Sequence, residues 1–147
     1  MSRELSVGIG GLGAIGLKIA RSLDQGLIYG LRLEAVSARD QDKARRNLVD
    51  LSAMPRITTL AGLAEICDVI IECAPASVFA EVADAAVEAG RIFIPASVGA
   101  LLPRMDLADK AAKTGARIII PTGALIGLDA VRAAAEGSVV SVTLKTR

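Results

Sequence analysis

Histidine is absent from this 147-residue sequence. It is the side chain that most often moves protons near neutral pH, so acid–base chemistry by this chain falls to Lys, Tyr, Asp or Glu. Tryptophan is absent too, and aromatic residues make up only 2% of the chain. The one tyrosine, Tyr29, lies in Gly26-Leu27-Ile28-Tyr29-Gly30, which reads as a helix-to-strand connection with a surface aromatic. Cysteine occurs twice, at Cys67 and Cys73. Their spacing is not that of a zinc pair, no activating base accompanies either thiol, and no metal-ligand set is read elsewhere. Both read as packing residues in a reducing, cytoplasmic setting. Every apolar run is interrupted by charged, Gly or Pro residues before it reaches membrane-spanning length, and Met1-Ser2-Arg3-Glu4 does not open a signal peptide. Neither sign of charge dominates: 17 basic and 16 acidic residues leave +1, which gives no electrostatic footprint for nucleic acid or an anionic membrane.

What the chain does have is aliphatic mass and glycine. It is 52% hydrophobic, with a mean hydropathy of +0.51. A core of Val, Ile, Leu and Ala suits a parallel sheet covered by helices on both faces. The length suits one domain, or one domain and the start of a second.

The most informative stretch is Val7-Gly8-Ile9-Gly10-Gly11-Leu12-Gly13-Ala14-Ile15-Gly16. It reads as a buried strand, a glycine turn and a helix start. Two G-x-G-x-x-G registers overlap, Gly8/Gly10/Gly13 and Gly11/Gly13/Gly16. The second leaves 5–10 as the strand and puts Ile15, Ile19, Ala20 and Leu23 on one helix face. In that register Gly11 makes the tight turn, Gly13 admits a pyrophosphate close to the backbone, and Gly16 lets the helix approach the sheet. The candidate cofactor-binding residues here are Gly11, Leu12, Gly13, Ala14, Ile15 and Gly16, and the ligand they imply is a dinucleotide.

The second strand, 33–38, ends in Ser37-Ala38-Arg39. An Asp or Glu at this place binds the ribose 2′-hydroxyl of NAD. Here no carboxylate repels a 2′-phosphate, and the Arg39 guanidinium and Ser37 hydroxyl are suited to bind one, so the cofactor expectation is NAD(P), leaning to NADP. Asp40 stays available to the ribose if the strand ends differently. Residues 41–50 are polar and helical, with Lys43, Arg45 and Arg46 on a solvated face. A short strand at 57–59 and a helix at 60–66 lead to a central strand, 69–75, that ends in proline. Ala74 and Pro75 then line the crevice at the topological switch point. Glu72, among apolar positions, is either a satisfied structural carboxylate, the favoured reading, or a contact to the cofactor ribose. A helix at 77–89, with Val78, Val82, Ala85, Ala86 and Ala89 inward, stops at Gly90. Strand five, 91–95, ends in a loop of small residues, 96–101, that includes Ser97 and Gly99. A helix at 107–114 is closed by Gly115. Strand six, 117–121, runs into the glycine-containing loop 122–127, with Ala124 facing the ligand side, and a helix follows at 128–136. The final segment, 139–147, alternates apolar and polar residues as a half-buried strand does, and needs further sheet to join. The fold expected is an α/β Rossmann-like doubly wound parallel sheet over 1–137, with 138–147 as the first strand of a second domain.

Several of these segments occur in order as a set: Gly11–Gly16, Ile71-Glu72-Cys73-Ala74, Ser97-Val98-Gly99-Ala100-Leu101, Pro121–Ala130 and Val142–Arg147. Together they resemble the N-terminal half of the L-aspartate dehydrogenase family, which is related to homoserine dehydrogenase in its cofactor domain. The glycine motif is generic, whereas Ser-Val-Gly-Ala-Leu and Gly-Ala-Leu-Ile-Gly-Leu-Asp are much more specific. The resemblance implies NAD(P)-dependent oxidation of L-aspartate to iminoaspartate, or the reverse from oxaloacetate and ammonia. It places Ser37 and Arg39 at the adenosine ribose and Ala74, Ser97 and Ala124 at the nicotinamide end. It also implies a second domain that carries the substrate pocket, the dimer sheet and a catalytic histidine. With no histidine here, no catalytic residue carries over to this sequence. The partners expected are a dinucleotide, a small amino-acid or keto-acid substrate, and a second copy joined through the C-terminal strand. A non-catalytic dinucleotide-binding module, and a homoserine dehydrogenase or dihydrodipicolinate reductase relative, are the alternatives.

Overall fold

The computed structural model describes residues 3–121 and 128–143. Its six strands are β1 (Leu5–Gly10), β2 (Leu31–Ser37), β3 (Arg56–Ile57), β4 (Val69–Glu72), β5 (Ile92–Pro95) and β6 (Arg117–Ile118). They form one sheet in the order β3-β2-β1-β4-β5-β6, and every pairing is parallel. The chain first winds outward from β1 to β3, then returns to build β4 to β6 on the other side. The switch in direction therefore falls between β1 and β4, where open α/β sheets bind ligands.

The helices are α1 (Ala14–Asp24), α2 (Gln41–Asn47), α3 (Leu63–Ile66), α4 (Phe79–Glu88), α5 (Val98–Leu101), α6 (Asp106–Thr114) and α7 (Leu128–Ala134). Strand periodicity divides the apolar residues between the two faces of the sheet. Val7 and Ile9 pack with Ala20, Leu23, Val36 and Leu48 on the α1–α2 face. Ile70 and Phe93 pack with Leu63, Val82, Ala86 and Leu107 on the α3–α4–α6 face. The alternate positions of β1 are Ser6, Gly8 and Gly10, and a Cβ at Gly8 would lie 3.0 Å from Cys67 Sγ, so α3 sits directly on the strand. Phe79 and Phe93 meet edge to face, with ring centroids 5.9 Å apart, which uses both phenylalanines in the core.

The fold class is the one expected, but several local details differ. The inward face of α1 is Gly16, Ala20 and Leu23, while Ile15 is 61% exposed instead of packing inward. Helix α4 buries Phe79, Val82, Ala83, Ala86 and Val87, so its stripe is rotated from the expected one and Ala89 is exposed. The small-residue segment after β5 is helical from Val98 to Leu101 and continues as a 3-10 turn through Arg104. Strand β6 stops at Ile118, although Ile119 N–H still donates to Phe93 O at 2.9 Å. The next rung needs an N–H that Pro95 lacks. The loop 122–127 and its Ala124 lie outside the described residues, as does 144–147. Residues 139–143 pair with no strand among the described residues, and Val140 is 98% exposed. No helix among the described residues is long and apolar enough to cross a membrane.

One polar clasp fixes β1 against β4. Ser6 N–H and Ser6 Oγ donate to Asp68 Oδ2 at 3.0 and 2.8 Å, and Asp68 N–H donates back to Ser6 Oγ at 3.0 Å. The Ser6 backbone bond, then its hydroxyl, holds the Asp68 carboxyl below its ordinary value. A lowered native pKa contributes stability above the unfolded carboxylate range, and that contribution is lost as pH falls through the native value. Asp68→Asn is expected to cost about 1–2 kcal/mol at pH 7, with the gap to wild type closing below about pH 4. Urea midpoints measured from pH 7 to pH 2.5 check this; a constant gap contradicts it.

Candidate dinucleotide site at the carboxyl ends of the strands

Gly10 pairs with Ser37 on one side and Glu72 on the other, and Glu72 pairs with Pro95. Four strands thus end level, and the glycine turn crosses their tips. Gly11 N–H donates to Ser37 O at 2.8 Å, and Cys73 N–H donates to Gly10 O at 2.7 Å. These bonds draw the turn into the gap between β2 and β4. Gly11 has φ +99°, and a Cβ there would lie 2.6 Å from Cys73 O. A Cβ at Gly16 would lie 2.0 Å from Gly11 O, so α1 reaches the turn only because that position is glycine. Gly13 differs: a Cβ there would meet nothing within 4 Å. Its missing side chain leaves open space rather than tight packing.

Gly13 is also the N-cap of the 11-residue α1, with no side-chain cap and no acidic residue in the first turn. The first N–H groups of a helix lack internal partners and carry its positive dipole end, so this terminus is suited to an anion. Beside it opens a cleft of about 630 Å³ lined by Gly11, Leu12, Gly13, Arg39, Asn47 and Pro75, among others. An adjoining cleft of about 420 Å³ is lined by Ser37, Arg39, Leu60, Ala74, Ser77 and Val78, among others. A helix end suited to an anion, an open glycine and a largely apolar lining fit a nicotinamide dinucleotide. A further cleft lies at the opposite, amino end of the sheet, lined by Glu4, Asp24, Tyr29 and neighbours, and has no comparable helix end.

Among the sequence-derived candidates, the structure brings Gly11, Leu12, Gly13, Ser37, Arg39, Ala74 and Pro75 to these adjoining clefts. Ala14 and Ile15 open α1 in solvent, and Gly16 is buried beneath the turn. Ser97 stands next to the site: its hydroxyl lies 3.5 Å from Ala74 O. Gly99 is exposed within α5 and does not line either cleft. Lys43, Asn47, Leu60, Ser77 and Val78 line the clefts as well, and the sequence reading assigned none of them a site role. The signal for two of them was present, since Lys43 and Asn47 lie one helical turn apart on a helix whose N-cap, Asp40, directly follows Arg39.

Glu72 is fully buried. Its carboxylate accepts from Ser97 N–H at 3.0 Å and from the Ser97 hydroxyl at 3.1 Å. It is a satisfied structural group that ties the end of β4 to the start of α5. Both thiols are free. Burial pushes Cys67 and Cys73 up to about 11, aided at Cys67 by Glu34 and at Cys73 by Glu72. A thiol with so high a pKa is a poor nucleophile at neutral pH.

A doubly wound parallel sheet with this turn defines a Rossmann-type dinucleotide-binding domain. The chain belongs to the homoserine dehydrogenase NAD-binding-domain family, whose model matches residues 11–121. It is 48% identical over 146 residues to an L-aspartate dehydrogenase of Bradyrhizobium diazoefficiens, covering 99% of this chain and 51% of that protein. It is 42% identical to L-aspartate dehydrogenase 3 of Bordetella bronchiseptica, over 98% of this chain and 53% of that one. The chain therefore spans about half the length of these curated relatives. Among solved structures, the biliverdin reductase of Synechocystis superposes with a TM-score of 0.72 at 18% identity, over 90% of this chain and 43% of that one. A scyllo-inositol dehydrogenase of Lactobacillus casei superposes with a TM-score of 0.68 at 12% identity, over 91% of this chain and 41% of that one. At such low identity, both matches concern the fold alone.

Two outcomes follow from this geometry. Gly16→Ala drives a methyl group into Gly11 O and is expected to lower stability by about 2 kcal/mol or more. Gly13→Ala should leave the melting temperature nearly unchanged yet weaken dinucleotide binding about tenfold or more, because its methyl occupies the phosphate approach. Thermal melts combined with ligand titration separate the two; equal loss of stability in both variants contradicts the assignment. At pH 7.5 the folded chain should resist alkylation at both thiols, and label rapidly only after denaturation, as mass spectrometry would show.

Proposed function

We propose that this chain is the cofactor-binding half of an L-aspartate dehydrogenase that prefers NADP, the oxidation yielding iminoaspartate and, after hydrolysis, oxaloacetate and ammonia. The observation that carries the reading is the uncapped start of α1, which opens beside Gly13 onto the switch-point clefts. Similarity to L-aspartate dehydrogenases supports the substrate. The bound nicotinamide supplies the hydride acceptor. The residues of this chain hold and orient it: Gly11 to Gly16 at the pyrophosphate, Ser37 and Arg39 at the adenosine ribose, and Ala74, Pro75 and Ser97 toward the nicotinamide. Gly99 lies in α5, two residues beyond Ser97, and Ala124 is assigned to the nicotinamide end by the family resemblance alone. The NADP preference is supported by Arg39 in the cleft and by a β2 end that carries Ser37 where a carboxylate selects NAD.

In this reading the substrate pocket and the acid–base group belong to the part of the relatives that this chain does not span. Residues 1–137 form the cofactor domain and 138–147 begin the next, with Val140 and Val142 covered there or by a second copy in a homo-oligomer. The setting is cytoplasmic, as two unpaired thiols suit a reducing compartment. A binding module without catalysis is the second reading, favoured by a sequence with no histidine.

Calorimetric titration tests the proposal. NADP and NAD are both expected to bind, NADP more tightly, and Arg39→Ala should weaken NADP more than NAD. No binding of either at millimolar concentration overturns the reading. The 147-residue chain alone should not reduce NADP with L-aspartate, whereas turnover by it would place the acid–base group within this sequence.

A further inference from the structure

We propose that Lys43 is a specificity-determining residue, the second cation of a 2′-phosphate site that it forms with Arg39. This rests on the reading of the clefts as a dinucleotide site. Helix α2 carries three cations, Lys43, Arg45 and Arg46. Of these, Lys43 lines the larger cleft, together with Arg39, Asn47 and the Gly11–Gly13 turn. Lys43 and Asn47 lie one turn apart around buried Ala44, and Arg45 projects about 200° away from Lys43; Arg46 lies about 60° from Lys43 around the helix but does not line the cleft. Arg39 and Lys43 make no ion pair among the described residues, so an incoming anion need not displace a protein carboxylate.

Among the described residues, Asp40 is the one carboxylate lining either cleft. It sits between the two cations in sequence, and at the end of β2 a carboxylate serves the 2′-hydroxyl of NAD. In this fold its side chain is committed elsewhere: Asp40 Oδ1 accepts Lys43 N–H at 2.9 Å as the N-cap of α2. That bond holds the carboxylate against the helix and fixes the Lys43 backbone beside the cleft. With Arg39, Asp40 and Lys43 all charged, the rim keeps a net charge of plus one. A phosphomonoester carries roughly −1.5 to −2 at pH 7, and a guanidinium paired with an ammonium gives both planar and point-charge recognition of it.

The test is titration of the 147-residue chain and of Lys43→Gln with NADP, NAD, adenosine 2′-monophosphate and adenosine 5′-monophosphate. Gln preserves helix propensity and leaves the capped N–H in place, and Arg45→Gln controls for the lost charge. Lys43→Gln is expected to weaken NADP and adenosine 2′-monophosphate about five- to tenfold, with NAD and adenosine 5′-monophosphate changed less than about twofold. Arg45→Gln should change all four alike. Equal weakening of NADP and NAD by Lys43→Gln, or no change in either, overturns the role of Lys43 while leaving the dinucleotide site standing. Failure of wild type to bind any of the four overturns the dinucleotide reading, and this inference with it.

Discussion

The structure depends on one close approach, that of α1 to the turn that precedes it. Gly11 O occupies the space a Cβ at Gly16 would need, at 2.0 Å. Because Gly16 has none, α1 begins directly above the end of β1 and its free N–H groups face the crevice. The two backbone bonds at the turn, Gly11 to Ser37 and Cys73 to Gly10, then tie β2 and β4 to that same point. Anion site, cleft walls and strand ends therefore share one origin. A shift of α1 by the width of a methyl group would move all three together, which is why packing and function cannot be separated at this glycine, although they can at Gly13.

Much of this was legible from residue order. Glycine at 11, 13 and 16 after an apolar strand specified the turn, and each continuous aliphatic run ending in Pro or a small residue specified a parallel strand with its carboxyl end at the site. What was not legible depends on where side chains point once helices dock. Ile15 fits an apolar stripe in the sequence, yet the contact made by Gly16 rotates α1 so that Gly16, Ala20 and Leu23 face inward and Ile15 faces solvent. Lys43 is solvent-exposed as its sequence context suggests, and only the placement of α2 beside the Gly11 turn brings it to the cleft. The segment after β5 reads as a loop because small residues have no strong pattern. Its helical form is set by a contact from β4, at a distance in sequence that no local rule spans.

That contact is the buried Glu72. Taking a carboxylate out of water is costly unless its oxygens are satisfied, and here both are, by one residue, Ser97. An apolar side chain of similar size would fill the volume without a directional bond, and α5 would then have no fixed start. The Ser97 hydroxyl, occupied by Glu72, does not cap its own helix. The usual local solution to a helix end is exchanged for a link between adjacent strands. This link sets the relative position of Ala74 and Ser97, the two sides of the crevice where β4 and β5 end.

The surface charges divide on the same physical principle. Arg104 and Lys110 bind Asp84 and Asp106 across α4 and α6, and Asp68 clasps Ser6, so these groups are consumed in joining elements. At the mouth of the site the pattern inverts. Asp40 turns back to its own helix, and Arg39 and Lys43 are left toward the cleft. In a chain with a net charge of only +1, a helix end and two cationic side chains thus meet at the carboxyl ends of the central strands. Suitability for a small, multiply charged ligand rests on this placement rather than on overall charge. Groups so placed suit an anion even in a sequence with no basic run and no histidine.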